Sequence, residues 1–304
     1  MDQTVVVPKS IGPIEDPTKT LRNLISSSDL TYLMGAHDGL SAAIAKQGGF
    51  KGLWASGLSI SASLGYRNAN EADWTRVLDV VECMADVSRL PILVDSDYGF
   101  GNLSARSLAA KLLQRGASGV CIGDAKMNAV SNRHALAGID EFSGRLKAIK
   151  DTARSDLVVV ARTMALTGHG LDEALLRAHA YVHAGADAIL IHSPKADAGE
   201  ISAFGKKWKR LPLMIVVTND CHTPVSVFSE AGISMLIWAD HAMQASVAGM
   251  RAVCDCVTPK QACASIEPEE VAIIDEMLDL GRYDEPPSGE DWCLPGVHGG
   301  HRPR

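Results

Sequence analysis

Four segments of this chain repeat one grammar, in which glycine precedes a short apolar run that ends on a polar residue. They are GGFKGLWAS from position 48, RGASGVCIGD from 115, AGADAILIHS from 184 and AGISMLIWAD from 231. The glycine supplies the C-terminal turn of a preceding helix, and an apolar run this short and uninterrupted reads as a strand buried on both faces. Four further runs interleave with these: LTYLMGA (30–36), PILVD (91–95), LVVVAR (157–162) and PLMIVVT (212–218). Helical spacing separates them; Leu171, Leu175, Ala178 and Val182 recur at i, i+4, i+7 and i+11 before Gly185 ends the turn. Eight strands alternating with helices predict an α/β chain folded as a (β/α)8 barrel rather than an open doubly wound sheet.

With 304 residues and 46% hydrophobic side chains, one large core is within reach. The barrel is expected over 1–258 as the catalytic domain, with its last helix near 240–256. The remainder, 259–304, reads as one more amphipathic helix around 268–280, with Glu269 and Glu270 in its first turn, followed by a tail rich in proline and glycine. His298 and His301 in that tail read as solvated. A net charge of −7 without clusters of Lys and Arg argues against nucleic acid or an anionic membrane as partner. No run approaches the roughly 20 apolar residues of a membrane span, and the N-terminus lacks the pattern of a signal peptide. Seven scattered cysteines, with no C-x-x-C pair, indicate neither a disulfide framework nor a zinc site. A cytoplasmic enzyme is the expectation.

Polar residues gather just past the strand ends: Ser56, Asp95, Asp97, Asp124, Arg162, His192, Thr218 and Asp240. In barrels of this kind that face carries the active site, although strand ends also meet water and are polar for that reason. Asp95 and Asp97 are spaced to hold Mg²⁺ directly or through its waters, with Gly99 and Gly101 allowing close backbone approach; Asp97 as a helix cap is the alternative. The small residues of SGLSISAS (56–63) expose backbone N–H groups able to cradle an anion. Arg162 offers a planar fork to an oxyanion. His192 reads as a hydrogen-bond donor or general acid, or else as a core histidine. Trp54 and Cys121 read as core.

The segments WASGLSISASLGYRNANEADW (54–74) and DSDYGFGN (95–102) resemble phosphoenolpyruvate mutase of the isocitrate lyase superfamily, and the resemblance spans roughly 17–253. It implies that Ser56, Gly57 and Leu58 hold the anionic end of a small oxo-acid or phosphonate substrate. Arg162 would clamp an oxyanion, His192 would line the site, and Asp95 and Asp97 would serve Mg²⁺. It further implies a homodimer or homotetramer built from dimers that exchange the last barrel helix.

The departures from that family are local. Asn68 stands at the position of a mutase aspartate. Gly123 replaces a metal-shell glutamate, and Met164 a carboxylate two residues beyond the arginine. Where the family reads EDK-x-x-P-K-x-N this chain reads GDAKMNAVS (123–131), so the lysine and asparagine of the gating loop fall at Ala129 and Ser131. Lys126 and Asn128 are the nearby substitutes, and Asp124 or Lys126 is a candidate base. The expected activity is a diverged mutase-like enzyme making or breaking a C–C or C–P bond beside a carbonyl, through an enolate stabilised by Mg²⁺ or Arg162. Alternatives are a hydrolase or condensing enzyme on the same scaffold, or a catalytically silent oxo-acid-binding homologue.

Overall fold

A computed structural model of the protein describes residues 16–67, 71–97, 103–126, 135–195, 197–217, 223–260 and 280. Eight parallel strands close into a barrel in chain order: β1 (Thr31–Ala36), β2 (Leu53–Ala55), β3 (Ile92–Asp95), β4 (Gly119–Gly123), β5 (Val158–Thr163), β6 (Ala188–Ile191), β7 (Leu213–Val216) and β8 (Ile233–Trp238). All eight fall where the apolar runs predict them. The barrel closes where β8 pairs with β1, with Leu33 opposite Ile237 and Met34 opposite Trp238.

Because a strand turns successive side chains to opposite faces, each apolar run serves two cores at once. Leu33, Trp54, Leu93, Cys121, Val158, Val160, Ala188, Leu190, Met214, Met235 and Ile237 form one buried cluster, the barrel interior. Their chain neighbours, such as Leu53, Val94, Val120, Ile122, Val159 and Ile189, belong to a second cluster shared with the surrounding helices. Trp54 is 1% exposed and Cys121 is fully buried, as expected of core residues. At the seam, Gly35 is required by sterics rather than conformation: a Cβ there would lie 1.8 Å from the carbonyl oxygen of Ala239.

The helical layer follows from local signals. Helix α1 (Pro17–Ile25) starts at an Asp16 cap and contributes Leu21 and Ile25 to the interior cluster. Its Arg22 pairs with Asp187, whose carboxylate also receives Lys150 and the backbone N–H of Val159. Helices α2 (Gly39–Gln47), α3 (Gly57–Ser63), α4 (Trp74–Ser88) and α5 (Ala105–Gln114) each begin at a side-chain cap: Asp38, Ser56, Asp73 and Ser104. Such a cap satisfies an otherwise orphaned N–H and is worth about 1 kcal/mol. Then come α6 (Ile139–Ala153), α7 (Leu171–His183), α8 (Gly199–Lys207), α9 (Val225–Glu230) and α10 (His241–Lys260). Gly185 (φ +96°) follows α7, as the sequence places it.

The chain divides into two compact units, one ending at Arg251 and the other beginning at Ala252. Among the described residues no helix is long and apolar enough to cross a membrane. The helix expected over 268–280 lies outside the described residues except for Leu280, which is helical and buried.

Candidate active site

Strand alternation decides which of the polar strand-end residues face one another. On β3, Asp95 shares the inward parity of Leu93; on β5, Arg162 shares that of Val158 and Val160. Arg162 meets both predicted metal carboxylates: Nη1 donates to Asp95 Oδ2 at 3.2 Å and Nη2 to Asp97 Oδ1 at 2.8 Å. The side chains of Arg162 and Asp95 are each 11% exposed and that of Asp97 is 24% exposed, so these pairs are largely screened from water. Asp97 adopts φ +46°, its N–H donates to Asp95 Oδ1 at 3.0 Å, and its carbonyl accepts from Gly123 N at 2.6 Å. The turn after β3 thereby folds back on β4 and carries the second carboxylate to the arginine.

Burial sets the charge states here. It pushes the Asp95 carboxyl up to about 7 against the pull of Arg162, with Asp97 adding to the rise. Burial works against the charge of Arg162, but Asp95, Cys121 and Asp97 outweigh it and hold the guanidinium protonated. His192, just beyond β6, has its pKa lowered by burial and then by the Arg162 charge, which favours neutral imidazole. The backbone N–H of His192 donates to Thr163 O at 3.4 Å.

The structure relocates Asp124. Alternation turns Gly123 inward with Cys121 and Asp124 outward with Val120 and Ile122, into the layer between the barrel and α7. There the fully buried carboxylate accepts from Thr163 Oγ1 (2.9 Å), Met164 N (2.9 Å), Tyr181 Oη (2.7 Å) and Arg177 Nη1 (3.3 Å). A carboxylate committed to four protein donors and shut off from solvent is placed to tie β4 to β5 and α7, an environment that suits positioning better than the expected role of general base. Strand-end position suggested the site; the period of two, applied one residue further, puts this side chain on the other face.

Lys126 is exposed, and its N–H donates to Ala135 O at 2.9 Å beside an antiparallel bridge between Ala125 and Leu136. The chain just past β4 thus runs antiparallel to the chain at 135–136; Asn128, Ala129 and Ser131 lie outside the described residues. Asn68, Gly99, Gly101 and Thr218 also lie outside them.

Across the barrel mouth, Ser56 and Gly57 are buried and Leu58 is half exposed. Ser56 Oγ accepts from Ser59 N, and both serine hydroxyls donate to Asp240 Oδ1 at 2.8 Å. Two hydroxyls of the predicted cradle segment, though none of its backbone N–H groups, thus already hold a carboxylate of the protein itself. Sequence reasoning placed Asp240 in the strand-end ring without this pairing. It missed His37, which follows β1 with the inward parity of Leu33 and Gly35. His37 is 6% exposed, and its Nδ1 has no hydrogen-bond partner among the described residues. A histidine directly after an apolar strand was the available signal.

The donor set does not fit Mg²⁺ as it stands. Three of the four oxygens of Asp95 and Asp97 are already engaged by Arg162 or by backbone N–H. Gly123 brings no side chain, and the described residues contain no group of three or more His, Cys, Asp or Glu able to hold a metal ion.

Comparison with known proteins supplies the lineage. Residues 21–258 match the family model described as phosphoenolpyruvate phosphomutase. A phosphoenolpyruvate phosphomutase of Tetrahymena pyriformis is 47% identical over 277 residues, covering 88% of this chain and 92% of the relative. A phosphonopyruvate hydrolase of Variovorax sp. (strain Pal2) is 35% identical, covering 77% of this chain and 84% of the relative. Among solved structures, a phosphonopyruvate hydrolase in complex with oxalate and Mg²⁺ superposes with a TM-score of 0.81 at 31% identity, covering 88% of this chain and 95% of that one.

Proposed function

Because the chain belongs to the phosphoenolpyruvate phosphomutase family, we propose that it is an enzyme that makes or breaks a C–C or C–P bond beside the carbonyl of a small α-oxo acid or phosphonate. Heterolysis of that bond leaves its electron pair in an enolate, and the developing charge sits on the former carbonyl oxygen. A cation or N–H donor aimed at that oxygen lowers the barrier. Arg162 is the group that supplies it here.

One observation carries this reading: a guanidinium with five N–H donors stands next to the last residue of β5 at the barrel mouth, and its buried Nε–H has no acceptor among the described residues. Asp95 and Asp97 orient the fork. His192, kept neutral, offers an N–H to the substrate, and the reading places the substrate's anionic end at Ser56, Gly57 and Leu58. No step is assigned to Mg²⁺, which the carboxylates do not fit while Arg162 occupies them. Hydrolysis is the second reading, with Lys126 at the start of the 127–134 segment as base. Catalytic silence is the third, favoured by the hold of Asp240 on Ser56 and Ser59.

Phosphorus NMR of the protein incubated with phosphonopyruvate, and separately with phosphoenolpyruvate, tests the proposal. Interconversion supports a mutase and phosphate release a hydrolase. Unchanged spectra, together with no turnover of oxaloacetate by ultraviolet absorbance, refute an enzymatic role of this class.

We also propose a homodimer or homotetramer. The outer face beside β1 and β8 carries a cavity of about 580 Å³ lined by Leu24, Leu30, Tyr32, Phe50 and Trp238. Most of the described side chains of α10 are exposed, Met250 at 60% and Val247 at 37%. An apolar wall on the barrel and a helix with most of its side chains bare suit helix exchange between copies, and light scattering of the purified protein tests it. A barrel domain over 1–258 with a 259–304 extension, and a cytoplasmic location, complete the proposal.

A further inference from the structure

The position that decides what cation this site uses is Gly123. Its Cα faces the guanidinium from inside the barrel: a Cβ built there would lie 3.1 Å from Arg162 Nε and 3.3 Å from Nη2. Those contacts are tighter than side chains ordinarily tolerate, so any larger residue presses on the arginine where it now sits. Gly123 is also opposite Arg162 in the β4–β5 register, so the two cannot be separated by a shift of loop. The left-hand flank is equally fixed, because Gly123 N is bonded to Asp97 O.

We propose that glycine at 123 lets Arg162 act as the resident cation of the Asp95–Asp97 pair, so that this protein binds its acid substrate without a divalent metal. Two carboxyl groups against one guanidinium leave at most a single net negative charge, and three of their four oxygens are committed. A divalent ion depends on the number of anionic oxygens it can recruit and on their freedom to turn toward it. To seat one, the guanidinium must leave both partners, and no described side chain waits to receive it. A carboxylate at 123 changes both conditions. It adds a negative charge and gives the Nε–H of Arg162, which has no partner among the described residues, an acceptor beside β4, drawing the guanidinium off Asp95 and Asp97.

The inference rests on the assigned site but not on the assigned reaction, and the test keeps the two apart. Free Mn²⁺ is titrated into the full-length protein and counted by electron paramagnetic resonance, with Gly123→Glu and Arg162→Gln in parallel. The expected result is no saturable Mn²⁺ binding by the wild type below millimolar concentration. Gly123→Glu should bind about 10- to 100-fold more tightly, the range by which groups around a metal's direct ligands move its affinity. Arg162→Gln, which frees the carboxylates without adding bulk, should also gain affinity and decides the matter if Gly123→Glu does not fold. Saturable micromolar binding by the wild type, or no gain in the folded variants, overturns the proposal. Oxalate titrated calorimetrically into the wild type with and without EDTA should give equal affinity; a loss of binding with EDTA also overturns it. Absence of oxalate binding in both arms refutes the oxo-acid reading, while the Mn²⁺ counts still decide the role of Gly123.

Discussion

Replacing Asp124 separates a structural carboxylate from a catalytic one. In Asp124→Ala the donors at Met164 N, part-buried, and Tyr181 Oη, buried, lose their acceptor. Each stranded donor costs about 1–3 kcal/mol. Arg177 keeps Glu173 and the Ala137 carbonyl and so adds little, whereas the buried Thr163 hydroxyl loses the acceptor of its O–H and adds to the cost. The total is about 3–5 kcal/mol, the range for removing one partner of a buried ion pair. Against a domain stability of roughly 5–15 kcal/mol, that is a large fraction. Asp124→Asn keeps the shape and one accepting oxygen, so its loss should be smaller, about 1–3 kcal/mol. Urea unfolding followed by circular dichroism reads both values. Oxalate affinity of the folded Asn variant, measured well below its unfolding midpoint, should stay within about twofold of wild type if the carboxylate acts only through the scaffold. A loss of stability under about 1 kcal/mol in the Ala variant, accompanied by abolished turnover, would refute the reasoning and return Asp124 to the reaction.

Three further outcomes follow from the same geometry. Because the folded-state pKa of His192 lies below its ordinary value of 6.5, unfolded chains take up the proton first as pH falls. Its contribution is absent above that value and is a loss of stability below it; an imidazole NMR titration should show His192 neutral at pH values where exposed histidines are charged, and an unlowered pKa would contradict this. Asp240→Asn removes a negative charge from the hydroxyls of Ser56 and Ser59. Oxalate binding should tighten by roughly tenfold, about 1.4 kcal/mol, and unchanged affinity would show that the anion does not visit that end. Gly35→Ala drives a methyl group to within 1.8 Å of the Ala239 carbonyl at the barrel seam. A loss of about 3 kcal/mol or more is expected by thermal unfolding, and a neutral outcome would mean that β1 and β8 slide apart without penalty.

The barrel was legible in the chain because its determinants are local. A glycine at a helix C-terminus, a run of Val, Ile and Leu too short for a helix, and a polar residue where the run stops act over ten residues, and eight such units have few ways to pack. Asp95, Asp97, Arg162 and His192 could likewise be placed at one face of the barrel from position alone. What position could not say is which of them touch. Asp124 and Gly123 are chain neighbours, yet strand alternation sends one to the helical layer and the other to the barrel mouth. Arg162 was read as a clamp for a ligand, but which acceptors it finds first depends on β3, β4 and β5 being brought side by side and on the turn at Asp97 folding back over Gly123. Ser56 and Asp240 are 184 positions apart and meet only because the barrel closes. The sequence by itself determined the scaffold and the inventory of charged groups. Tertiary structure decided the pairing among them, because an ion pair depends on a few ångströms between side chains from different strands, a distance that no local pattern encodes.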